Sequence, residues 1–310
     1  GADEPLGDGG FGAAAGQRPR SDASEPAAIA IRGLAAEAKG RTVLKDIDAC
    51  VPACALCAVM GASGSGKTSL IKALAGVPSG LRLEGQVVMS RTSGNGMGVV
   101  GYLPQSEDLL PTLTVRETLT FSAALRRVEA GAAAVDGLLE DLCLRTCADT
   151  RIGAQSGSGI SGGERRRVSL AIRLLQRLSL FCADEPTSGL DSRSASLVVE
   201  LLRREVRKGC TVLCSIHQPR PEIFELFNHL LLLSDGHLVY SGPAQGAPQH
   251  VQERTGLQCS SAVNPADFLI DACSLDRTSV ERLEESSKRV ERLVMHWKGL
   301  DSGQRGAVPP

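Results

Sequence analysis

A glycine-rich loop that could hold a polyphosphate follows an apolar segment and precedes a short helical pattern. Residues 61–68 match the pattern G-x-x-x-x-G-K-[ST]. The glycines let backbone N–H groups surround phosphate oxygens, the lysine reaches the β- and γ-phosphates, and the last hydroxyl binds Mg²⁺. We therefore expect a phosphate-binding loop rather than a flexible linker. Its candidate residues are Gly61, Ala62, Ser63, Gly64, Ser65, Gly66, Lys67, Thr68 and Ser69.

Two adjacent acids follow a second apolar segment. Asp184 and Glu185 come directly after Leu180–Ala183. An acid at the end of a buried strand costs free energy unless it meets a cation or hydrogen-bond donors. Alone, this pair would be weak evidence. After a phosphate loop, it predicts that Asp184 holds Mg²⁺ and that Glu185 positions and polarises an attacking water.

Three single polar residues fall in places that match this chemistry. Gln105 follows the apolar residues 99–103, His217 follows residues 211–216, and Asp191 ends the sequence Ser-Gly-Leu-Asp. In isolation, each is more often a helix cap or a hydrogen-bonded core side chain than a site residue. They are candidates because of the motifs around them.

A second anion-binding pattern lies at residues 160–167, which read I-S-G-G-E-R-R-R. Its serine can cap a helix, and its two glycines expose backbone N–H groups at the helix N-terminus. Because the chain already has a phosphate loop, a second one is useful if it closes over a nucleotide held by a partner chain. The residues of this pattern are Ser161, Gly162, Gly163 and Glu164.

The apolar pattern predicts an α/β fold. Apolar residues make up 42% and aromatic residues 3% of the 310 residues, so the core must consist of aliphatic side chains, as in buried parallel strands. The pattern of residues 112–176 predicts mainly helices. A helical segment between groups of strands is typical of an α/β core with a helical lobe. Strand patterns occur at 28–31, 43–47, 56–60, 180–183 and 211–216, and a hairpin at 230–240 turns at Asp235-Gly236. The expected core contacts of the lobe are Leu119, Leu125, Leu138, Leu142 and Ile172.

A charged amphipathic helix is predicted at residues 279–300. It either packs on its own domain, which we favour, or connects to something further along the chain. Its expected apolar stripe consists of Val280, Leu283, Val290 and Val294. Its expected i,i+4 ion pairs are Glu284–Lys288 and Glu285–Arg289.

Composition argues against several other classes. The 34 basic and 35 acidic residues give no reason to expect a nucleic-acid-binding protein. The ten cysteines lie mostly in apolar segments, which favours reduced thiols, and the C-x-x-C at Cys54 and Cys57 has no second pair at zinc-site spacing. Residues 1–26 are typical of a disordered tail. No segment has a membrane-spanning pattern, and we expect the chain to be a fragment because it does not begin with Met.

Taken together, residues 28–275 resemble the nucleotide-binding domain of an ABC ATPase. The resemblance rests on residues 61–68, Gln105, residues 161–164, Asp184-Glu185, Asp191 and His217, which occur in the family's order. Finer features are similar to the G (White) subfamily of ABC transporters, and the residues Ser286–Val290 resemble its sterolin branch. The subfamily features are Tyr102–Gln105, Leu113–Leu119, Gly163–Ser169, Ile216–Arg220 and Asn264–Phe268.

This resemblance implies an architecture and a setting. The fold would be a P-loop NTPase core, a RecA-like mixed sheet flanked by helices, with an antiparallel β subdomain and a helical signature subdomain at about 112–176. The cassette would span residues 27–275. Residues 276–310 would be a connector helix and tail leading towards a transmembrane domain absent from this chain. The whole protein would export a lipid-like substrate, such as a sterol, with the cassette on the cytoplasmic face of a membrane.

The resemblance also implies a role for each candidate residue. Lys67 and the loop amides would bind the phosphates of ATP, and Glu185 would act as the catalytic base. His217 would contact the γ-phosphate. Residues 161–164 would close on the nucleotide of a second cassette, identical or different, with Asp191 at the dimer seam. Thr68, Gln105 and Asp184 would serve Mg²⁺.

One departure from the family and two other functions remain open. ABC cassettes usually stack an aromatic residue on adenine, yet residues 29–47 contain no Phe, Tyr or Trp. Loss of such a stack weakens binding by about 1 kcal/mol. A soluble ABC-type ATPase subunit would need a long coiled-coil insertion or a second cassette in the chain, and the sequence has neither. A nucleotide-gated dimerisation module without hydrolysis is disfavoured because Lys67, Glu185 and His217 are intact.

Overall fold

The computed structural model describes residues 27–89, 99–106, 109–153, 159–260 and 263–299. The expected tail at 1–26 and residues 300–310 lie outside these ranges. The strands are β1 (Ala27–Ala38), β2 (Arg41–Pro52), β3 (Leu56–Gly61), β4 (Arg82–Met89), β5 (Val100–Leu103), β6 (Leu180–Asp184), β7 (Thr211–Ser215), β8 (His229–Ser234) and β9 (His237–Pro243). The helices are α1 (Lys67–Leu74), α2 (Val115–Leu125), α3 (Gly131–Asp141), α4 (Gly162–Leu174), α5 (Ser192–Arg207), α6 (Pro221–Phe224), α7 (Ala247–Thr255), α8 (Pro265–Cys273) and α9 (Val280–Gly299).

The central sheet has the strand order β5-β6-β7-β3-β8-β9. Every pairing in it is parallel except that of β8 with β9, the predicted hairpin. β3, β6 and β7 are buried along their whole length, which explains why they are almost purely apolar in sequence. Because the carboxyl ends of parallel strands meet at one edge, the segments after β3, β5, β6 and β7 converge there. The predicted α/β class and mixed sheet are confirmed.

A second, antiparallel sheet has the order β2-β1-β4. The first two strands have 12 residues each and are longer than the predicted 28–31 and 43–47. Polar residues within them interrupt the apolar pattern, because the strands are only partly buried. Lys45 N donates to Gly236 O at 2.8 Å, which joins this sheet to the β8–β9 turn.

Helices α2, α3 and α4 lie in the segment predicted to be helical. α2 begins at a capping box in which Thr114 Oγ1 accepts from Glu117 N at 3.1 Å and Glu117 Oε2 accepts from Thr114 N at 2.8 Å. Leu119, Leu142 and Ile172 are buried as expected, and Leu138 is half-buried. The expectation for Leu125 was wrong: it is 69% exposed because it lies at the free end of α2.

The predicted C-terminal helix is present as α9 and packs on its own domain, but the residues that it buries differ from the expected apolar stripe. Val280 and Leu283 are exposed, whereas Val290, Leu293 and Trp297 are buried. The expected stripe was wrong at its first two positions because only the later turns lie on the domain. Of the expected ion pairs, Lys288 Nζ lies 2.6 Å from Glu284 Oε1.

Arg289 of α9, which was expected to pair with Glu285, donates hydrogen bonds to backbone carbonyl groups instead. Arg289 Nε donates to Ala272 O at 2.9 Å and Arg289 Nη2 donates to Ser274 O at 3.2 Å. The guanidinium therefore satisfies carbonyl groups at the end of α8, which fixes α9 against that helix. No helix within the described ranges is both long and apolar enough to cross a lipid bilayer.

Seven of the ten cysteines are buried and pack as small apolar residues. All ten lie in the described ranges, and none of them forms a disulfide. Burial raises the pKa of Cys214 to about 12, so this thiol stays protonated at neutral pH. The described residues contain no cluster of three or more His, Cys, Asp and Glu side chains that could hold a metal.

Trp297 should provide much of the attachment of α9. Its side chain is 4% exposed, and its ring centroid lies 6.2 Å from that of Tyr240. We expect Trp297→Ala to lower the free energy of unfolding by about 3 kcal/mol, because a large buried side chain leaves a cavity. The matched change Met295→Ala, at a position 68% exposed, should alter it by about 0.5 kcal/mol or less. Equal effects in denaturant titrations would contradict this account of the helix.

Candidate functional site

The phosphate loop joins the end of β3 to the start of α1, and two of its glycines are required by close approaches. Gly61 has φ +147° and Gly66 has φ +103°. A Cβ atom at Gly61 would lie 2.2 Å from Leu233 O, and one at Gly66 would lie 2.8 Å from Val43 O. Any larger residue would force the loop away from β8 or β2. The loop therefore passes close to both sheets, in a conformation that only glycine adopts easily.

Lys67 is held inside its own loop. Its ammonium donates to Gly61 O and to Ala62 O, both at 2.8 Å, and the residue is only 8% exposed. Burial lowers the pKa of Lys67, while the charges of Glu185 and Asp184 act in the opposite direction. The ammonium thus lies at the loop with carbonyl partners that phosphate oxygens could replace.

Asp184 ends β6 and is the most deeply buried acid of the site, at 1% exposed. Its Oδ1 accepts from Thr68 Oγ1 at 3.1 Å and from Ser215 Oγ at 2.6 Å. Its Oδ2 is buried without a hydrogen-bond partner among the described residues. A buried carboxylate oxygen without a donor, next to a hydroxyl, is suited to a hard divalent cation such as Mg²⁺. Thr68 and Asp184 therefore fit the metal role expected of them.

Glu185 and Gln105 are brought into contact at the same sheet edge. Gln105 Nε2 donates to Glu185 Oε2 at 3.0 Å. Glu185 has φ +49°, in the left-handed region that non-glycine residues rarely adopt, and its N–H donates to Ser215 Oγ at 2.8 Å. Such a conformation turns the side chain of Glu185 out of the strand direction, which places its carboxylate at the surface of the site.

A cavity of about 400 Å³ is lined by half of the predicted site residues. It contains the loop, the Gln105–Glu185 pair and His217, which is exposed beyond the end of β7. Ala62 and Ser65 instead line a neighbouring cavity of about 390 Å³, together with Asp235 and Arg277. The lining of the first cavity is Val43, Ser63, Gly64, Gly66, Lys67, Thr68, Ser69, Gln105, Glu185 and His217.

The second anion-binding pattern lies apart from this cavity, at the start of α4. Ser161 Oγ accepts from Glu164 N at 3.2 Å, and Glu164 Oε2 accepts from Ser161 N at 2.8 Å, so the two residues form a capping box. The hydrogen bond from the Ser161 backbone holds the pKa of Glu164 below its usual range. Gly162 and Gly163 form the first turn of this helix. None of the residues 161–164 lines the cavity that contains the phosphate loop.

Asp191 likewise begins a helix rather than lining the cavity. Its Oδ1 accepts from Arg193 N at 3.0 Å and from Ser194 N at 3.1 Å, which caps α5. The Ser194 hydroxyl and amide lower the pKa of Asp191. Arg167 Nη1 donates to Ser194 Oγ at 3.0 Å, so the starts of α4 and α5 are joined.

Sequence reasoning missed three residues of the site. Ser215 accepts from the Glu185 amide and donates to the Asp184 carboxylate, and its only signal was a hydroxyl at the end of an apolar segment. Arg166 donates to the backbone carbonyl groups of both acids, but the sequence does not distinguish it from the arginines on either side. Val43 lies in the cavity, within the segment that lacks the expected aromatic residue.

Comparison with known proteins agrees with this geometry. The family model described as ABC transporter matches residues 44–188. "ABC transporter G family member 7" of Arabidopsis thaliana is 40% identical over 278 residues, which are 87% of this chain and 38% of that protein. "Broad substrate specificity ATP-binding cassette transporter ABCG2" of Rattus norvegicus is 37% identical, over 82% of this chain and 41% of that protein. "ATP-binding cassette sub-family G member 8" of Homo sapiens is 39% identical, over 76% and 36%.

These matches and the site together define the class of the chain: it is an ATP-binding ABC-type nucleotide-binding domain, and hence an ATPase. The relatives give the finer resemblance, because over most of its own length the chain is similar to members of the G family of ABC transporters. The chain spans well under half the length of these relatives. The sterolin resemblance stays a prediction, because relatives of different names have similar identities of 37% to 41%.

Val43 should leave the adenine base weakly held, because a valine offers no aromatic face for stacking. We expect Val43→Tyr to lower the ATP dissociation constant about fivefold, which corresponds to about 1 kcal/mol of stacking. Thr42→Tyr is the matched control, since neighbouring strand residues point to opposite faces and Thr42 is exposed. Equilibrium titration with a fluorescent ATP analogue measures both. If the two tyrosines have the same effect, Val43 does not face the base.

Proposed function

We propose that this chain is the energy-coupling cassette of a half-transporter, in which two cassettes close around ATP. The observation that supports this most strongly is the division of the anion-binding parts. Lys67, Glu185 and His217 share one cavity, whereas the capped start of α4 lies elsewhere on the chain. Each nucleotide would therefore be completed by residues 161–164 of a second cassette, with Asp191 at the seam between the two.

In the proposed reaction, the chain first binds the phosphates of ATP. The Lys67 ammonium would leave the carbonyl oxygens of Gly61 and Ala62 for the β- and γ-phosphates, with the loop amides around them. Thr68, Asp184 and Gln105 would hold Mg²⁺, which when bound neutralises charge on the phosphate oxygens.

The hydrolytic step would then be carried by Glu185. Its carboxylate would accept a hydrogen bond from the attacking water and take its proton as the water oxygen bonds to the γ-phosphorus. The bond from the γ-phosphorus to the bridging β-phosphate oxygen would break in the same step, which leaves ADP and phosphate as products. Gln105 holds one carboxylate oxygen through its amide and so sets the direction of the other. His217 would contact the γ-phosphate and lose that contact when phosphate leaves.

The setting of this ATPase in a whole protein is also a proposal. The relatives are named as transporters and are more than twice as long as the matched region, which supports a membrane domain elsewhere in the full-length protein. Residues 27–275 would form the cassette, with the helical subdomain at about 112–176, and residues 276–310 would lead to that domain. The cassette would face the cytoplasm, and its closing and opening would export a lipid-like substrate such as a sterol.

Glu185→Gln tests the hydrolytic assignment. In the complete protein reconstituted in lipid, we expect ATP hydrolysis to fall by about 100-fold or more, because the amide cannot take a proton from water. The ATP dissociation constant should stay within about twofold, since the phosphate-binding residues are unchanged.

Glu285→Gln removes an exposed carboxylate on α9 and should hydrolyse ATP like the parent. A Glu185→Gln protein with parental turnover would show that another group is the base. If the parent protein does not hydrolyse ATP, the alternative of a nucleotide-gated dimerisation module is favoured instead. A full-length parent that hydrolyses ATP but stays in solution without detergent would favour the soluble ATPase subunit.

A further inference from the structure

Arg166 is a buried cation that the hydrolytic scheme does not use. It lies in the first turns of α4 and is 8% exposed. Its Nη1 donates to Pro104 O at 2.5 Å, and its Nη2 donates to Asp184 O at 2.5 Å and to Glu185 O at 3.0 Å. One guanidinium thus joins the helix of the second anion-binding pattern to the two segments that carry Gln105 and the paired acids.

The backbone at Glu185 needs this support. With φ +49°, it has a conformation that persists only where its surroundings hold it. Ser215 Oγ holds the amide side through the bond from Glu185 N at 2.8 Å. Arg166 holds the carbonyl side. The peptide groups before and after the Glu185 Cα atom are therefore each fixed by a side chain from another element.

The same guanidinium also acts on the partner of Glu185. Pro104 directly precedes Gln105, whose amide donates to the Glu185 carboxylate. Because Arg166 Nη1 and Nη2 lie in one rigid plane, the carbonyls of Pro104 and Glu185 are kept at a constant separation. The position of Gln105 relative to Glu185 then depends on where α4 lies.

We propose that Arg166 is a positioning residue for ATP hydrolysis, which sets the orientation of Glu185 and Gln105 through their backbone carbonyls. This inference rests on the proposed role of Glu185. The inference also connects the two nucleotide sites of the proposed cassette pair. The helix α4, which would close on the partner's nucleotide, is the helix that orients Glu185 of its own chain. A lysine cannot replace the arginine, because a single ammonium lacks the planar fork that spans carbonyls of two segments.

The test compares Arg166→Lys and Arg166→Met with the parent in the complete reconstituted protein. We expect kcat to fall about 10- to 100-fold in both, because a small misplacement of a catalytic group has an effect of this size. KM for ATP and the ATP dissociation constant should stay within about twofold. Hydrogen exchange at residues 185–188 should become faster, since Ser188 N donates to the Glu185 carbonyl held by Arg166.

Arg204→Met is the matched control. It removes an exposed arginine of α5 whose guanidinium pairs with Asp141 at 3.1 Å, and it should leave kcat and exchange unchanged. Parental kcat in Arg166→Lys would overturn the inference. Parallel losses of kcat, ATP affinity and melting temperature would overturn it too, because they indicate a purely structural arginine. A parent without ATPase activity would reject the proposed function itself, and the inference with it.

Discussion

The burial of one carboxylate at the carboxyl edge of the central sheet is the constraint around which the site is arranged. Asp184 is 1% exposed, and a charged group in that position is costly unless other groups compensate for it. Compensation comes from Thr68, which lies 116 residues earlier in the chain, and from Ser215, 31 residues later. The pairing of β6 with β7, and of β7 with β3, is what brings these hydroxyls to the acid.

The parts of the site that the sequence predicts are those whose chemistry is local. The phosphate loop and the paired acids each lie within a few consecutive residues, so their patterns predict both the element and the role. The strand order does not follow from such patterns, because it depends on contacts between distant segments. Ser215 was missed for this reason, since its value appears only when β7 lies beside β6.

The wrong predictions of burial for Leu125 and Val280 have the same physical origin. Leu125 and Val280 are apolar residues at helical spacing, yet both are exposed, because periodicity identifies a face of a helix and not the length over which that face is covered. Arg166 is the reverse case: a charged residue in a basic segment that is buried because three carbonyl groups surround it. Neither outcome can be predicted without the neighbouring elements.

The central claim is that Asp184 and Thr68 hold the cation that accompanies ATP. Asp184→Asn tests it most directly, because the amide oxygen can still accept from Thr68 and Ser215 while the negative charge is lost. The measurement is ATP affinity with Mg²⁺ and with a chelator, in the parent and in the variant. We predict that Mg²⁺ tightens ATP binding in the parent and has little effect in the variant. An equal response to Mg²⁺ in both proteins would contradict the account.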